Sequence, residues 1–188
     1  MKKVLIINGH PDSESFCQKI AETYKLASEL KGNEVQLLNV HEMEFSLNLA
    51  YGFRKRIETE QAILNAQQLI SWSNHIVIIH PVWWGSVPAL LKGFFDRVLT
   101  PGFAFKYREN SPLWDKLLKG KTGQLIYTSD TPTFIYKYFY GAPSVNTVKR
   151  RVMQFCGISP VKVTGFGSIR STNALQREKI LNKVKNIA

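Results

Sequence analysis

Cysteine and long apolar runs are both scarce in this chain. Its 188 residues include only two cysteines, Cys17 and Cys156, with no CxxC spacing, which argues against a disulfide framework or a zinc site. No stretch is apolar for long enough to span a bilayer, and the apolar run after Lys3 is too short for the core of a signal peptide. We therefore expect a cytoplasmic protein with no membrane insertion and no metal site.

Acidic residues are also few relative to basic ones. The chain has 14 Asp and Glu against 25 Lys and Arg, a formal net charge of +11. Nucleic acid, anionic cofactors or metabolites, and a solvated basic surface are three interpretations of such an excess. The basic residues are dispersed apart from short clusters at 54–56 and 149–151, and no nucleic-acid motif accompanies them. We favour a solvated surface and expect no nucleic-acid partner.

What the chain does contain is a regular alternation of strand and helix patterns. Short apolar runs predict strands at residues 3–8, 35–40, 76–79, 121–128 and 160–166. Amphipathic stretches predict helices at 15–31, 57–72, 90–98, 145–155 and 172–187. Five strands separated by helices imply a parallel sheet covered on both faces. The natural topology is the flavodoxin-like order 2-1-3-4-5, so we predict an α/β, doubly wound, five-stranded sheet in a single domain spanning residues 1–188.

Residues 76–105 are the stretch around which this fold is organised. The predicted third strand is followed by a loop with two adjacent tryptophans, Trp83 and Trp84, and then by a buried helix. Ligands of open α/β sheets bind outside the carboxyl ends of the strands, at the switch point of the strand order. That point lies between strands one and three, where the loops 9–15 and 81–86 meet. A hydrophobic loop covered by a neighbouring element is the alternative interpretation.

The first of these loops has the composition of a phosphate site. It leads through Ser13 and Ser15 into a helix N-terminus, where free N–H groups and the helix dipole favour an anion. Ser15 and the amides of Phe16 and Cys17 could hold that group, with His10 beside it. Alternatively, Ser15 only caps the helix, together with Gln18 in a capping box, and His10 is a surface histidine. A phosphate pocket beside a tryptophan loop is what a flavin nucleotide requires.

Two segments also resemble a known family. GHPDSESF near the start and HPVWWGSVPALLKGFFDRVLTPGFAF in the middle are similar to the NAD(P)H quinone reductases of the flavodoxin-like fold, which include modulators of drug activity and ancillary subunits of potassium efflux systems. The resemblance implies a homodimeric flavoprotein with shared active sites that passes a hydride from NAD(P)H to flavin and then to quinones. The flavin would carry the chemistry, with no catalytic side chain. It implies cofactor-binding residues at His10, Ser15, Phe16, Cys17, Pro81, Val82, Trp83, Trp84, Gly85, Thr128, Ser129 and Asp130.

The same resemblance implies a substrate site formed partly by a second copy of the chain. Trp84 would present an apolar face to a flat acceptor, while Phe105 and Tyr107 would reach the neighbouring subunit's site. The aromatic tract 134–140, with Tyr136, forms either a substrate wall or dimer or core packing. The loop 128–132 departs from the Thr-Thr-Gly-Gly type of related enzymes. Because the longest members add a C-terminal extension for an adenosine portion, the end at Ala188 favours FMN over FAD.

Three further expectations complete the sequence-based description. The backbone amides of 82–85 should bind the polar edge of the flavin ring, and donor and acceptor should use one pocket in alternation. The aromatic residues around the third helix suggest a two-fold dimer, because a monomer of this size does not readily hide them; they are Phe94, Phe95, Phe103, Phe105 and Tyr107. A flavodoxin-type electron carrier and a regulatory flavoprotein subunit of a membrane transporter are the alternative functions.

Overall fold

A five-stranded parallel sheet forms the centre of the molecule. The computed structural model describes residues 1–52, 54–55 and 58–188, so the predicted start of the second helix at 57 and the last residue of the basic cluster 54–56 lie outside the described residues. The strands of the sheet are β1 (Lys3–Asn8), β2 (Glu34–Asn39), β3 (His75–Pro81), β6 (Thr122–Thr128) and β7 (Val161–Phe166). Two short strands, β4 (Phe105–Tyr107) and β5 (Trp114–Lys116), form a separate antiparallel hairpin. The sheet order β2-β1-β3-β6-β7, all parallel, confirms the predicted flavodoxin-like topology.

Helices cover both faces of this sheet. They are α1 (Phe16–Leu30), α2 (Gln61–Trp72), α3 (Ala89–Val98), α4 (Thr133–Tyr138), α5 (Pro143–Asn146), α6 (Gln154–Cys156) and α7 (Ala174–Ile187), with a π-helical segment Thr147–Met153 joining α5 to α6. None of the helices in the described ranges combines the length and apolarity that crossing a bilayer demands. The second helix starts later than predicted because Glu60, at its N-cap, instead pairs with Arg97 and accepts a bond from the backbone of Ser46.

The buried side chains divide between the two faces with the period of two that a strand imposes. In β3, Ile76 and Ile78 belong to the core under α2 and α3, whereas Val77 and Ile79 belong to the core under α1 and α7. Apolar spacing in α1 predicts a buried stripe of Phe16, Ile20, Tyr24 and Ala27; the last three are buried, but at the start Cys17 is buried and Phe16 is only half-buried. The first turn of α1 is therefore rotated so that Phe16 faces the carboxyl edge of the sheet.

The predicted capping box of α1 is only half formed. The side chain of Ser15 accepts the N–H of Gln18 at 3.2 Å, as expected. The Gln18 side chain does not return to the Ser15 backbone; it accepts a bond from Asn8 Nδ2 at 2.6 Å instead. Asn8 is buried at the end of β1, so this bond satisfies a polar group that would otherwise be costly inside the fold and ties α1 to the sheet next to the first loop.

The aromatic residues around α3 are mostly hidden within one subunit. Phe94, Phe95 and Phe105 are buried, and of the five predicted to crowd this surface only Tyr107 is strongly exposed. The β4–β5 hairpin, which sequence patterns read as loop, covers this region, and Trp114 stacks on Phe155 with ring centres 4.4 Å apart. Because a single chain hides most of these aromatic residues, they do not by themselves indicate a dimer interface at α3.

Two histidines, the fully buried His80 and the half-buried His75, are held in their neutral form, and we expect this to make the fold acid-sensitive. Burial lowers the pKa of His80 to about 4; burial, and then the charges of Lys2 and Lys162, lower the pKa of His75 to about 4. In an unfolded chain a histidine titrates near pH 6.5. Below that pH the unfolded chain binds more protons than the folded one, so stability decreases as the pH falls from 6.5 toward 4.

We expect His80 alone to contribute about 1.4 kcal/mol per pH unit to this loss, the value for one proton taken up on unfolding. His80→Gln should therefore show a smaller decrease in unfolding free energy between pH 7 and pH 5 than the unmodified protein, whatever its stability at pH 7. Urea denaturation at the two pH values measures this. Equal decreases in the two proteins would contradict the assignment of a neutral, buried His80.

Candidate active site

A cleft of about 280 Å³ lies at the carboxyl ends of β1, β3 and β6, where the strand order reverses. Three loops meet there because Asn8 pairs with Ile79, and Pro81 with Thr128, at the ends of adjacent strands. The structure brings ten of the twelve predicted cofactor residues together in this cleft. Its lining consists of His10, Asp12, Ser15, Phe16, Cys17, Pro81, Val82, Trp83, Thr128, Ser129, Asp130, Ile169 and Arg177.

One end of the cleft has the features of a phosphate site. The backbone amides of Phe16 and Cys17, in the first turn of α1, donate to no acceptor in the described part of the chain. The guanidinium of Arg177 lies 5.3 Å from the centre of the Phe16 ring and has no carboxylate partner among the described residues. The Arg177 Nε donates to Thr172 Oγ1 at 3.1 Å, which leaves the other guanidinium N–H groups for a ligand. Free amides at a helix N-terminus together with such a guanidinium are suited to a phosphate.

His10 lies between the phosphate-type end of the cleft and the tryptophan loop, residues 81–86. Its Nδ1 accepts the N–H of Asp12 at 3.0 Å, which places the proton of the neutral ring on Nε2. Partial burial lowers the pKa of His10, although the neighbouring Asp12 opposes the shift. The ring meets Trp83 edge-on, with centroids 5.5 Å apart. His10 is thus a neutral hydrogen-bond donor held in place from both sides.

The tryptophan loop is a tight turn from Trp83 to Ser86. These two residues exchange backbone hydrogen bonds of 3.0 and 2.8 Å, and the two central residues, Trp84 and Gly85, have φ of +50° and +72°. Positive φ at both central positions is typical of a type I′ turn. The turn leaves the Trp84 and Gly85 amides without acceptors in the described ranges, whereas Val82 donates to the Thr128 carbonyl at 2.7 Å. Only two of the four amides predicted to meet a flavin ring are therefore free.

Trp84 and Gly85 are the two predicted cofactor residues that do not line the cleft itself. They lie at the tip of the turn, where the Trp84 side chain is fully exposed and Trp83 is 44% exposed. A fully exposed tryptophan is unusual, because its large apolar surface is then unburied. The turn therefore offers a flat apolar surface above one side of the cleft.

The loop after β6, residues 129–132, is the third loop of the cleft, and side-chain hydrogen bonds hold it in place. Ser129 Oγ donates to the Thr131 carbonyl at 2.7 Å, and Asp130 Oδ1 accepts the N–H of Arg170 at 2.9 Å. Nearby, Cys17 Sγ and Thr128 Oγ1 are 3.3 Å apart, and burial raises the pKa of the Cys17 thiol to about 12. A thiol that stays protonated is a poor nucleophile. Cys17 lines the cleft, where we expect it to act as a wall and not as a nucleophile.

The predicted substrate residues do not gather around the cleft of one chain. Phe105 is buried against Phe155 and Tyr107 and does not line the cleft, and Tyr107 itself is exposed. Tyr136 is only 2% exposed. Its hydroxyl is bonded to Ser144 Oγ at 2.6 Å, accepts the Ser144 N–H at 3.0 Å and reaches the Gly85 carbonyl at 3.4 Å. The structure thus places Tyr136 in the packing between α4, α5 and the tryptophan loop, which was one of the two roles considered for its tract.

Removal of the Tyr136 hydroxyl should destabilise the protein. In Tyr136→Phe the buried N–H and hydroxyl of Ser144 lose their partner, at a cost of about 1–3 kcal/mol for an unsatisfied buried group. Tyr138→Phe, two residues along the same helix but exposed, is the matched control and should change stability by less than about 0.5 kcal/mol. Urea denaturation compares the two variants, and equal stabilities would show that the Tyr136 bonds carry no net free energy.

Sequence reasoning missed three residues of the cleft: Asp12, Ile169 and Arg177. Asp12 is inside the loop that was identified, and its carboxylate accepts the N–H of Glu14 at 2.9 Å. Ile169 follows β7, and its N–H donates to the Ser129 carbonyl at 3.1 Å. Arg177 lies on α7, which crosses α1. Nothing in the local sequence marks Arg177, because its proximity to Phe16 depends on the packing of the last helix against the first.

The comparisons with known proteins agree with this architecture. The family model described as a flavodoxin-like fold matches residues 2–187. A Haemophilus influenzae protein named as an uncharacterized NAD(P)H oxidoreductase is 30% identical over 182 residues, 94% of this chain and 89% of its own length. A ribosyldihydronicotinamide dehydrogenase (quinone) of Mus musculus is 27% identical over 186 residues, 83% of this chain and 77% of its own length.

A solved structure extends the agreement to three dimensions. The crystal structure of Smu.1420 from Streptococcus mutans superimposes with a TM-score of 0.78 at 29% identity, and the match covers 98% of this chain and 97% of that one. Sequence, topology and the position of the cleft at the switch point all lead to one assignment. This chain belongs to the flavodoxin-like fold family.

Proposed function

We propose that this protein is a flavin-dependent NAD(P)H oxidoreductase that reduces quinones or similar flat acceptors, with the whole chain 1–188 acting as one flavin-binding unit. The observation that carries the proposal is the cleft at the switch point, which combines a phosphate-type helix terminus with a tryptophan turn. The names of the two relatives reported above support the oxidoreductase activity and the quinone acceptor. Two free thiols, Cys17 and Cys156, support a place in the reducing cytoplasm.

The residues of the cleft fit a flavin nucleotide. The Phe16 and Cys17 amides, with Arg177, would hold the phosphate, and His10 Nε2–H is available as a further donor. The free amides of Trp84 and Gly85 would meet the polar edge of the ring. The cleft volume of about 280 Å³ is at the lower limit of ligand pockets, and the tryptophan turn beside it would extend the surface available to the flavin.

Among flavins, the cleft favours FMN. It presents one guanidinium, from Arg177, beside the first turn of α1, which matches a single phosphate. Two carboxylates, Asp12 and Asp130, line the same cleft. A second phosphate would meet these like charges, and like charges at close range are unfavourable. FAD would therefore need contacts that the described cleft does not offer.

A bound flavin supplies the hydride chemistry itself, so the protein has only to bind, orient and exclude water. The proposal needs no catalytic side chain, which agrees with a neutral His10 and with a Cys17 thiol whose pKa burial raises. The exposed face of Trp84 offers a stacking surface for a flat acceptor. The electron-carrier alternative explains neither this exposed tryptophan nor the net charge of +11, which would attract anionic donors.

We further propose that two copies of the chain complete the active site. Trp84 is left fully exposed in one chain, and Tyr107 is 61% exposed on the β4–β5 hairpin. Large exposed aromatic side chains favour a protein interface, and Tyr107, which does not reach the cleft of its own chain, could reach that of a second copy. If the two residues act from opposite subunits, a mixed dimer of one Trp84→Ala chain and one Tyr107→Ala chain should have one intact active site out of two. The two parent dimers would each have no intact active site.

The proposed function is tested by purification and steady-state assay. The purified protein should be yellow, release FMN on denaturation, and oxidise NADH or NADPH in the presence of a quinone. Because one apolar surface serves both substrates, double-reciprocal plots at several quinone concentrations should give parallel lines. A protein that binds no flavin at micromolar concentration, equivalent to about −8 kcal/mol, would refute the proposal; intersecting lines would refute the shared pocket.

A further inference from the structure

A second pocket, of about 580 Å³, lies between α4, α5 and the edge strand β7. It is separate from the active-site cleft and shares no lining residue with it. Its volume is in the range of about 300–1,000 Å³ that is typical of small-molecule sites. We call it the α4–β7 pocket. Its aromatic and basic lining residues are Tyr127, Phe134, Tyr138, Lys137, Lys149 and Arg150.

The pocket lies in a part of the chain that has no carboxylates. All 14 acidic residues are outside residues 131–177, a stretch that contains seven Lys and Arg. In the described ranges, Lys137, Lys149 and Arg150 form no ion pair, although Lys149 is half-buried. Three uncompensated cations around a concave surface concentrate positive potential there. The pocket is therefore suited to an anion.

Aromatic rings border the same pocket. Phe134 and Tyr138, one turn apart on α4, share a face of the helix and are 58% and 73% exposed. Lys137 Nζ lies 5.0 Å from the centre of the Tyr138 ring, so a cation is already held against one of the rings. On the floor, a Cβ at Gly165 would be 2.3 Å from Tyr127 Oη. Only glycine there allows the Tyr127 ring to line the pocket.

The backbone of the pocket is irregular as well. Lys149 and Arg150 are carried by the π-helical segment Thr147–Met153, and such segments are rare and occur frequently at functional sites. Ala142, which also lines the pocket, has φ of +47°, a conformation uncommon for residues with a Cβ. Unfavourable backbone conformations of this kind concentrate at ligand sites.

We propose that the α4–β7 pocket binds a nucleotide, with the phosphate held by Lys149, Arg150 and Lys137 and the base stacked against Phe134 and Tyr138. Cations alone would fit inorganic phosphate, and rings alone would fit a neutral aromatic compound. Their combination in one pocket selects a ligand that has both a phosphate and a flat ring. Such a ligand is either a free mononucleotide or the phosphorylated adenosine end of NADPH. The site is defined by residues outside the flavin cleft, and only its NADPH form rests on the proposed function.

Isothermal titration of the full-length protein as purified, with 5′-AMP and with adenosine 2′,5′-bisphosphate, tests the proposal. We expect saturable binding, weakened about tenfold or more in Lys149→Gln/Arg150→Gln, because two charge-assisted contacts are lost. Arg151→Gln is the control for non-specific charge effects: it removes one positive charge from the next residue of the same segment, which does not line the pocket. It should leave the affinity within about twofold of the original.

The source of the ligand follows from kinetics of the same variants. If the double variant raises KM for NADPH but not for NADH, the pocket binds the donor's 2′-phosphate end; if neither KM changes while AMP affinity is lost, it binds a free nucleotide. Arg177→Gln, which alters the flavin cleft, should leave AMP affinity unchanged and so separates this proposal from the proposed function. Absence of saturation at millimolar nucleotide, equal weakening by Arg151→Gln, or equal affinity for inorganic phosphate would overturn it.

Discussion

Arg177→Gln is expected to weaken flavin binding by about tenfold, or about 1.4 kcal/mol. The guanidinium lies beside Phe16 at the first turn of α1, where no described carboxylate competes for it. Loss of a charge-assisted contact to a phosphate is worth about 1.5–3 kcal/mol when it is shielded from water; because Arg177 is exposed, we expect the lower end. Flavin titration followed by fluorescence measures the change.

Lys179→Gln is the matched control for Arg177→Gln. It removes one positive charge from an exposed position of the same helix, α7, that does not line the cleft. It should leave flavin affinity nearly unchanged at physiological salt, because an exposed charge that makes no contact with the ligand is screened by solvent and ions. An equal loss in both variants would mean that net charge, and not a contact at the first turn of α1, determines flavin affinity.

Trp84→Ala is expected to lower kcat/KM for a quinone by about 10- to 100-fold, within the roughly 1–3 kcal/mol expected for loss of a stacking surface. The Trp84 side chain is fully exposed at the tip of its turn and lines no part of the cleft. Flavin affinity should therefore change much less than acceptor use. The comparison requires kcat/KM for NADPH, kcat/KM for quinone and flavin affinity in one set of proteins.

Trp84→Phe separates the ring from the backbone. The residue has φ of +50°, a conformation that alanine and phenylalanine both find unfavourable because each has a Cβ. The two variants thus share any backbone cost, and only the phenylalanine variant keeps an aromatic face. We expect Trp84→Phe to retain most of the activity; equal losses in the two variants would assign the effect to the turn and not to stacking.

Much of the architecture could be predicted because periodicity is a local property of the sequence. The strand Lys3–Asn8 was predicted to the residue, and the order of the sheet followed from the number of strands and the handedness of their connections. The cleft could be located as well, since the carboxyl ends of adjacent parallel strands must meet at one edge. Its position therefore follows from topology before any side chain is considered.

The remaining features depend on contacts between distant parts of the chain. Arg177 reaches the cleft only through the packing of α7 on α1, and Tyr136 is buried only because α5 supplies Ser144 as its partner. Phe94 meets Phe45 edge-on with ring centres 6.4 Å apart, and Phe45 lies outside the helices and strands. An aromatic tract has the same local appearance whether it lies in a core, at an interface or in a site. Tertiary packing decides between these outcomes, and periodicity does not report it.

The central claim is that one flavin in this cleft accepts electrons from NAD(P)H and passes them on to a quinone. The most direct test is an anaerobic titration of the flavin-loaded protein with NADPH, and then with a quinone, followed by the visible absorbance of the flavin. We predict that a stoichiometric amount of donor bleaches the yellow colour and that a stoichiometric amount of quinone restores it. A colour that neither NADPH nor NADH bleaches, or that quinone does not restore, would contradict the account.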